Sequence, residues 1–434
     1  MSNPTYRAGP DGLASTPTSY KLEQFVITSN NTKHDGEDEY VWDFKESVAD
    51  FTIIESIYSP HLEIMIRIGD SNNLMEKLRL SGNESIIFKV MRESQSRGKE
   101  SLTVLARVAE LYGYNRSQPG MQTYTLKATS HHLYTNQTKI LKRSFSGAIP
   151  EIVGKILSSD LEVEDTDINT SSKNVIKGIF PSLRPIQAIN WLMNNAYDDG
   201  TPHFFYETKD SVLHFNSYKQ LIEQDLYDTY VYKPFISSEQ NTEEGYEEER
   251  TKIQSFRDAY TTSPYVSIGK GAYASTIHTV DIAKKEYKKE TFDYQRNNLY
   301  KLNDHKPFAL TDRTLPVNEL SESKNYFVSQ NSMAFPSHGN YYSPAGIDTN
   351  KSYAYIENIN YQTHQIGIAG DFNLHVGAKI EIEIQRGEQD PDGANINKFH
   401  SGTYIITQIV NEFKEQFWQY LTIKKDSSRI NLDA

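Results

Sequence analysis

The sequence predicts a mainly β protein with a smaller α+β part, arranged as two antiparallel β-barrel units joined by a small α/β domain. Three observations lead there. Short runs of alternating apolar and polar residues recur on both flanks of the chain, as half-buried strands require. Sustained helical spacing of apolar residues is confined to the middle. Tyrosine, which combines an apolar ring with a polar tip and suits strands and wet interfaces, supplies 29 of 434 residues.

Residues 1–18, with Gly9-Pro10-Asp11-Gly12 and Pro17, read as an N-terminal arm without a core of its own. The first barrel is expected over 19–130. Leu22, Phe25 and Ile27 begin the alternation, followed by Tyr40, Trp42 and Phe44. In the clearest strand, Leu62, Ile64, Ile66 and Ile68 share one face and Glu63, Met65 and Arg67 the other. A short helix fits within 70–80, and strands fit 84–91, 101–112 and 122–129. Residues 131–222 form the α/β unit. Ile149, Ile152, Val153, Ile156 and Leu157 recur at helical spacing after Ser146, a candidate N-cap. Pro185 suits the first turn of a second helix carrying Ile186, Ile189, Leu192 and Met193, and Gly200 suits the chain after its end. A hairpin around Thr208-Lys209-Asp210 follows.

The second barrel is expected over 223–427. Glu243 to Arg250 is an acidic run that reads as a solvated face or loop. Strands fit 253–260, 276–282, 287–294, 361–369, 379–385, 403–413 and 417–425. Residues of about 295–350 are polar and carry Pro307, Pro316, Pro336 and Pro344, so they read as an extended insertion for interaction. Glu388 to Asn397 reads as a hairpin loop. The order barrel, α/β, barrel is that of an internal duplication.

The chain contains no cysteine, which removes disulfides, cysteine-ligated zinc and thiol catalysis together. Mean hydropathy is −0.63, and no apolar run approaches the ~20 residues of a membrane-spanning helix. Residues 1–20 have no apolar stretch of the kind a secretory signal carries. A net charge of −12 disfavours phosphate-backbone binding, which rests on Lys and Arg.

No motif commits the chain to chemistry. His131-His132 has no acidic or histidine partner at ligand spacing and reads as a linker turn. Gly269-Lys270-Gly271 does not satisfy the phosphate-loop pattern and reads as a turn. Asp390-Pro391-Asp392-Gly393 lacks the later carboxylates of a calcium loop. Paired carboxylates are abundant, yet no nucleophile elbow or zinc-protease helix is present. The expectation is no catalytic residue, no cofactor and no metal ligand, hence no enzyme.

Four segments together resemble the central baseplate hub subunit of contractile-tailed, T-even-like bacteriophages. They are Val48 to Ile68 with Leu80-Ser81-Gly82-Asn83-Glu84; Lys142 to Gly147 with Pro185 to Leu192; Gly269 to Asp281 with Phe292-Asp293-Tyr294; and Leu374-His375-Val376-Gly377 leading through Ser401 to Ile406 and on to Lys425-Asp426-Ser427. They span about two thirds of the chain. No one of them is specific, and their order carries the resemblance. It implies two tube-type barrels per chain and a homotrimer of pseudo-sixfold symmetry that adapts a hexameric tail tube to a trimeric central spike. It also implies tail-tube or tube-initiator proteins and baseplate wedge proteins as neighbours. DNA would pass through the channel without specific binding. The place would be the virion, assembled in the host cytoplasm, with no membrane partner. The alternatives are the hub part of a secretion-system or tailocin spike, expected to continue into a β-helix where this chain stops at Ala434, and a tail-associated cell-wall hydrolase. Hubs of this kind use their C-terminal region against the spike. In the tail, 428–434, Ile430 and Leu432 alternate with polar residues as a docking strand would, so Arg429, Ile430, Asn431 and Leu432 are the candidate spike contact.

Overall fold

The computed structural model describes residues 17–29, 40–82, 84–92, 101–118, 120–172, 175–232, 248–261, 263–282, 284–294, 300–305, 322–330, 347–385 and 396–430. Most of the N-terminal arm, residues 243–247 of the acidic run, the Asp390-Pro391-Asp392-Gly393 turn, and Asn431 and Leu432 lie outside the described residues.

The first seven strands are β1 (Tyr20–Ser29), β2 (Tyr40–Asp43), β3 (Val48–Ser56), β4 (Glu63–Asp70), β5 (Ser85–Arg92), β6 (Ser101–Gln118) and β7 (Met121–Thr129), with helix α1 (Leu74–Leu78) after β4. They pair antiparallel in the order β3-β4-β7-β6-β5-β1-β2. Alternation sets the faces as the sequence predicts: Leu62, Ile64, Ile66 and Ile68 are buried, and Arg67 is exposed. The sheet curls around this apolar face. Phe51 on β3 and Phe88 on β5 are separated by three strands in sheet order, yet their rings lie 5.2 Å apart. Tyr20 on β1 reaches Phe51 from the far side at 6.4 Å. Before β5, the Glu84 carboxylate accepts the backbone N–H groups of Ser81 and Gly82 at 2.6 and 2.9 Å, which fixes the turn.

The middle of the chain holds α2 (His131–Thr138), β8 (Ser144–Ala148), α3 (Ile149–Ser159), β9 (Thr166–Asn169), β10 (Val175–Ile179), α4 (Pro185–Met193), β11 (His203–Glu207), β12 (Leu213–Ser217) and α5 (Tyr218–Glu223). The apolar stripes of α3 and α4 share one core with Leu213 and Phe215. Pro185 begins α4, and β11–β12 is the predicted hairpin. Three local expectations are corrected. Ser146 lies in β8 opposite Lys177; Ala148 is the N-cap of α3, without a side-chain cap, and a proline in the first turn fixes the entry. His131-His132 opens a helix, because Ser130 is extended and the His132 ring is tied to the Pro60 carbonyl at 2.7 Å. Helix α4 stops at Met193, and Gly200 serves instead, at φ +86°, in the turn closed by Asp198 and Thr201.

The remaining elements are β13 (Thr229–Tyr232), β14 (Ser255–Thr261), α6 (Pro264–Lys270), β15 (Ala274–Asp281), β16 (Glu286–Asp293), β17 (Asn325–Gln330), α7 (Ile347–Asn358), β18 (Gln362–Ala369), β19 (Lys379–Ile384), β20 (Gly402–Phe413) and β21 (Phe417–Lys425). Six strands follow the order β14-β18-β21-β20-β19-β13, with β13 parallel to β19 and the rest antiparallel. The set closes on itself. Val231 of β13 bridges Lys252 just before β14, and the Ile253 N–H donates to the Val231 carbonyl at 2.9 Å. Gly269-Lys270-Gly271 is the end of α6, where Gly271 adopts φ +82° as the C-cap. Within the stretch read as an extended insertion, β17 pairs parallel with β15 in a separate three-stranded sheet.

Strand β20 fuses the two β units. One edge of it pairs with β21. Along the other, Gly402–Ile405 pair with β19 and Gln408–Phe413 pair with β3, with the register shift between Ile406 and Gln408 marking the change of partner. The rings of Phe51 and Phe413 stack at 4.4 Å, Phe413 and Phe417 at 4.1 Å, and Phe417 and Phe372 at 5.2 Å. The last three belong to the core of the first unit. The first β unit thus completes its core with three rings of the second.

Candidate assembly site

A buried polar chain runs through the junction of all three units. It begins at Lys209 in the β11–β12 turn, whose backbone N–H donates to Glu55 Oε2 at 3.0 Å and whose Nζ donates to the Leu374 carbonyl. Glu55 Oε1 accepts from Asn411 Nδ2 at 2.9 Å, Asn411 Oδ1 from Gln419 Nε2 at 2.8 Å, and Gln419 Oε1 from the Asp371 N–H at 2.9 Å. The Asp371 carboxylate accepts from Tyr227 Oη at 2.7 Å, and Arg92 Nη2 lies 3.5 Å from it. Such groups are tolerated in a core only when they satisfy one another, and a satisfied chain fixes one relative placement of the units. Beside it, burial pushes the Glu207 carboxyl up to about 8, against hydrogen bonds from Ser130 Oγ and the Leu62 N–H. Burial pulls His132, with Nδ1 4.0 Å from that carboxylate, down to about 4.

The C-terminal segment is tied to its own chain as far as it is described. Asp426 is fully buried and accepts from the Leu302 N–H at 3.0 Å and from Tyr218 Oη at 2.9 Å, and burial raises its pKa. Ser428 and His305 exchange two backbone hydrogen bonds of 2.9 Å. Of the predicted spike contacts, Arg429 is ion-paired with Glu381, and the Ile430 N–H donates to Ser428 Oγ at 3.1 Å.

An exposed aromatic face lies on the three-stranded sheet. Register puts His278 of β15 opposite Phe327 of β17, and Val280 of β15 opposite Tyr287 of β16. The His278 and Phe327 rings stack at 4.5 Å, while Phe327 remains 76% and Tyr287 62% exposed. Exposed apolar faces of this kind mark interaction surfaces. A cleft elsewhere carries Asp198 and Asp199 beside Lys219, Tyr300 and Lys351. Against burial, hydrogen bonds from Ser171 and Ser217 and the Lys219 ammonium hold Asp198 below the ordinary carboxylate range. Hydrogen bonds from Lys219 and Tyr300 do the same for Asp199.

Sequence reasoning missed the polar chain and one further cluster, Asp258, His364 and His400, which come together across β14, β18 and the loop before β20. No single segment signals either.

No family model matches the chain, and no curated protein matches it. Solved structures do share its fold. The tail protein from Neisseria meningitidis MC58 superposes with a TM-score of 0.52 at 11% identity, over 93% of this chain and 97% of that one. The 43 kDa tail protein of prophage MuSo2 from Shewanella oneidensis gives 0.52 at 7% identity, over 96% and 99%. A component of the Escherichia coli type VI secretion system gives 0.45 at 12% identity, over 95% and 78%. The two tail proteins give the fold class, shared along nearly the whole length of the chain. No helix among the described residues is long and apolar enough to cross a membrane.

Proposed function

We propose that the chain is a structural hub of a contractile phage baseplate, acting as a homotrimer between the tail tube and the central spike. One observation carries the reading: a single chain holds two curled β units fused edge to edge through β20, and this arrangement follows the fold of phage tail proteins along nearly its whole length. Three such chains present six β units around one axis, so a threefold object offers a near-sixfold rim to a hexameric tube. The polar chain through Glu55, Asn411 and Gln419 keeps the two units at one fixed angle, which a rim requires. The exposed Phe327–His278–Tyr287 face and the C-terminal segment at Arg429 and Ile430 supply surfaces for neighbouring subunits and for the spike. The trimer carries 3 × (−12) = −36 charges. A share of these on the channel wall lets DNA pass without sticking, because like charges weaken contact. Negative-stain images of the purified chain test the reading: a threefold ring with a central hole is expected, and featureless monomers in the presence of the spike would overturn it.

A further inference from the structure

Asp258 and His364 are register partners on β14 and β18, and the loop entering β20 carries His400 to them. One donor atom from each, a carboxylate oxygen and two ring nitrogens, lies within 4.8 Å of the other two. Nδ1 of His364 is ion-paired at 3.0 Å with Oδ1 of Asp258. His364 is 0% exposed, yet among the described residues its Nε2 has no hydrogen-bond partner, nor does Nδ1 of His400. A buried polar atom left unpaired costs ~1–3 kcal/mol. Two imidazoles with unpaired ring nitrogens, gathered beside a carboxylate, therefore point to a partner that takes lone pairs.

We propose that Asp258, His364 and His400 bind one divalent transition-metal ion of the zinc class, which staples the entry of β20 to the β14–β18 edge. Two imidazoles and a carboxylate form a donor set this class favours over magnesium or calcium. At metal–ligand distances of ~2.0–2.1 Å, tetrahedral ligands stand ~3.3 Å apart, so binding draws together donors that now lie within 4.8 Å of one another. The Asp258 side chain is 49% exposed and gives the ion a way in. Behind the nitrogens, the His364 ring packs against Phe256 at 5.0 Å and Tyr404 at 5.6 Å, which keeps water from the rear of the site. Lys425 braces the loop: its Nζ donates to the carbonyls of Phe399 at 2.8 Å and Ser401 at 3.3 Å, on either side of His400.

The test uses the untagged full chain, freed of metal by a chelator and titrated with Co²⁺ alone while its visible absorption is followed. The expected result is one Co²⁺ bound per chain, displaced by Zn²⁺, with a higher thermal midpoint in the loaded protein. Asp258→Asn and His400→Gln should each weaken binding about tenfold or more. Circular dichroism of the metal-free variants must match the wild type, and should His400→Gln fail this, the half-exposed Asp258→Asn decides. A wild type that takes up neither ion, or variants that bind as tightly as it does, would overturn the proposal.

Discussion

Lys209 Nζ lies 3.6 Å from Glu55 Oε1 with both side chains fully buried, joining a hairpin turn of the α/β unit to a strand 154 residues earlier. Removing one member of such a pair strands the other in a low-dielectric interior. Lys209→Met should therefore cost ~3–5 kcal/mol in urea unfolding. The double change Glu55→Leu/Lys209→Met should cost less than the sum of its two single changes, because no charge is then left unpaired. Equal additivity would show that the two groups do not interact.

The aromatic ladder gives a second expectation. A Cβ at Gly370 would overlap the Phe417 ring, which stacks on Phe413. Gly370→Ala should lower the thermal midpoint by displacing that ring. Phe413→Ala, which opens the core shared by both β units, should cost ~3–5 kcal/mol. Differential scanning calorimetry reads both, and a single cooperative transition is expected because the units share that core.

Much of this was legible in residues. Leu62 to Ile68 alternate in sequence and in the sheet, and the α3 and α4 stripes reach the core they imply. What stayed hidden depends on distance or on weak local pattern. Helix α2 buries only His132 and Asn136, so it has no apolar stripe to read. The division of β20 between β19 and β3 is a matter of pairing, which one strand's own alternation does not encode. Lys209 reads as a solvated turn residue until Glu55 is brought beside it. Asp258, His364 and His400 sit on three separate segments and share no spacing motif.

The pH dependence follows from Glu207. Its folded pKa of about 8 lies above the ordinary value of 4.5, so between those values the folded protein holds a proton that the unfolded chain has lost. Stability from this group is therefore lost as pH rises from 4.5 to 8. Glu207→Gln, which can still accept from Ser130 and Leu62, should gain on the wild type across that window and run parallel to it above. Denaturation curves at pH 5, 6, 7 and 8 measure the gap, and a gap constant with pH would show that Glu207 is ionised in the fold.

The C-terminal segment is expected to serve the spike. Deleting residues 429–434 should weaken capture of the spike while the assembly keeps its mass. Burying Ile430 and Leu432 against a partner would contribute ~1.5–3 kcal/mol each per chain. Spike capture unchanged by the deletion would move the contact elsewhere on the hub.

Trimerisation is the claim on which the hub reading rests, and light scattering of the purified chain, alone and with its spike, tests it most directly. The account predicts a hub mass of three times 49.7 kDa. A strict monomer under both conditions would contradict it.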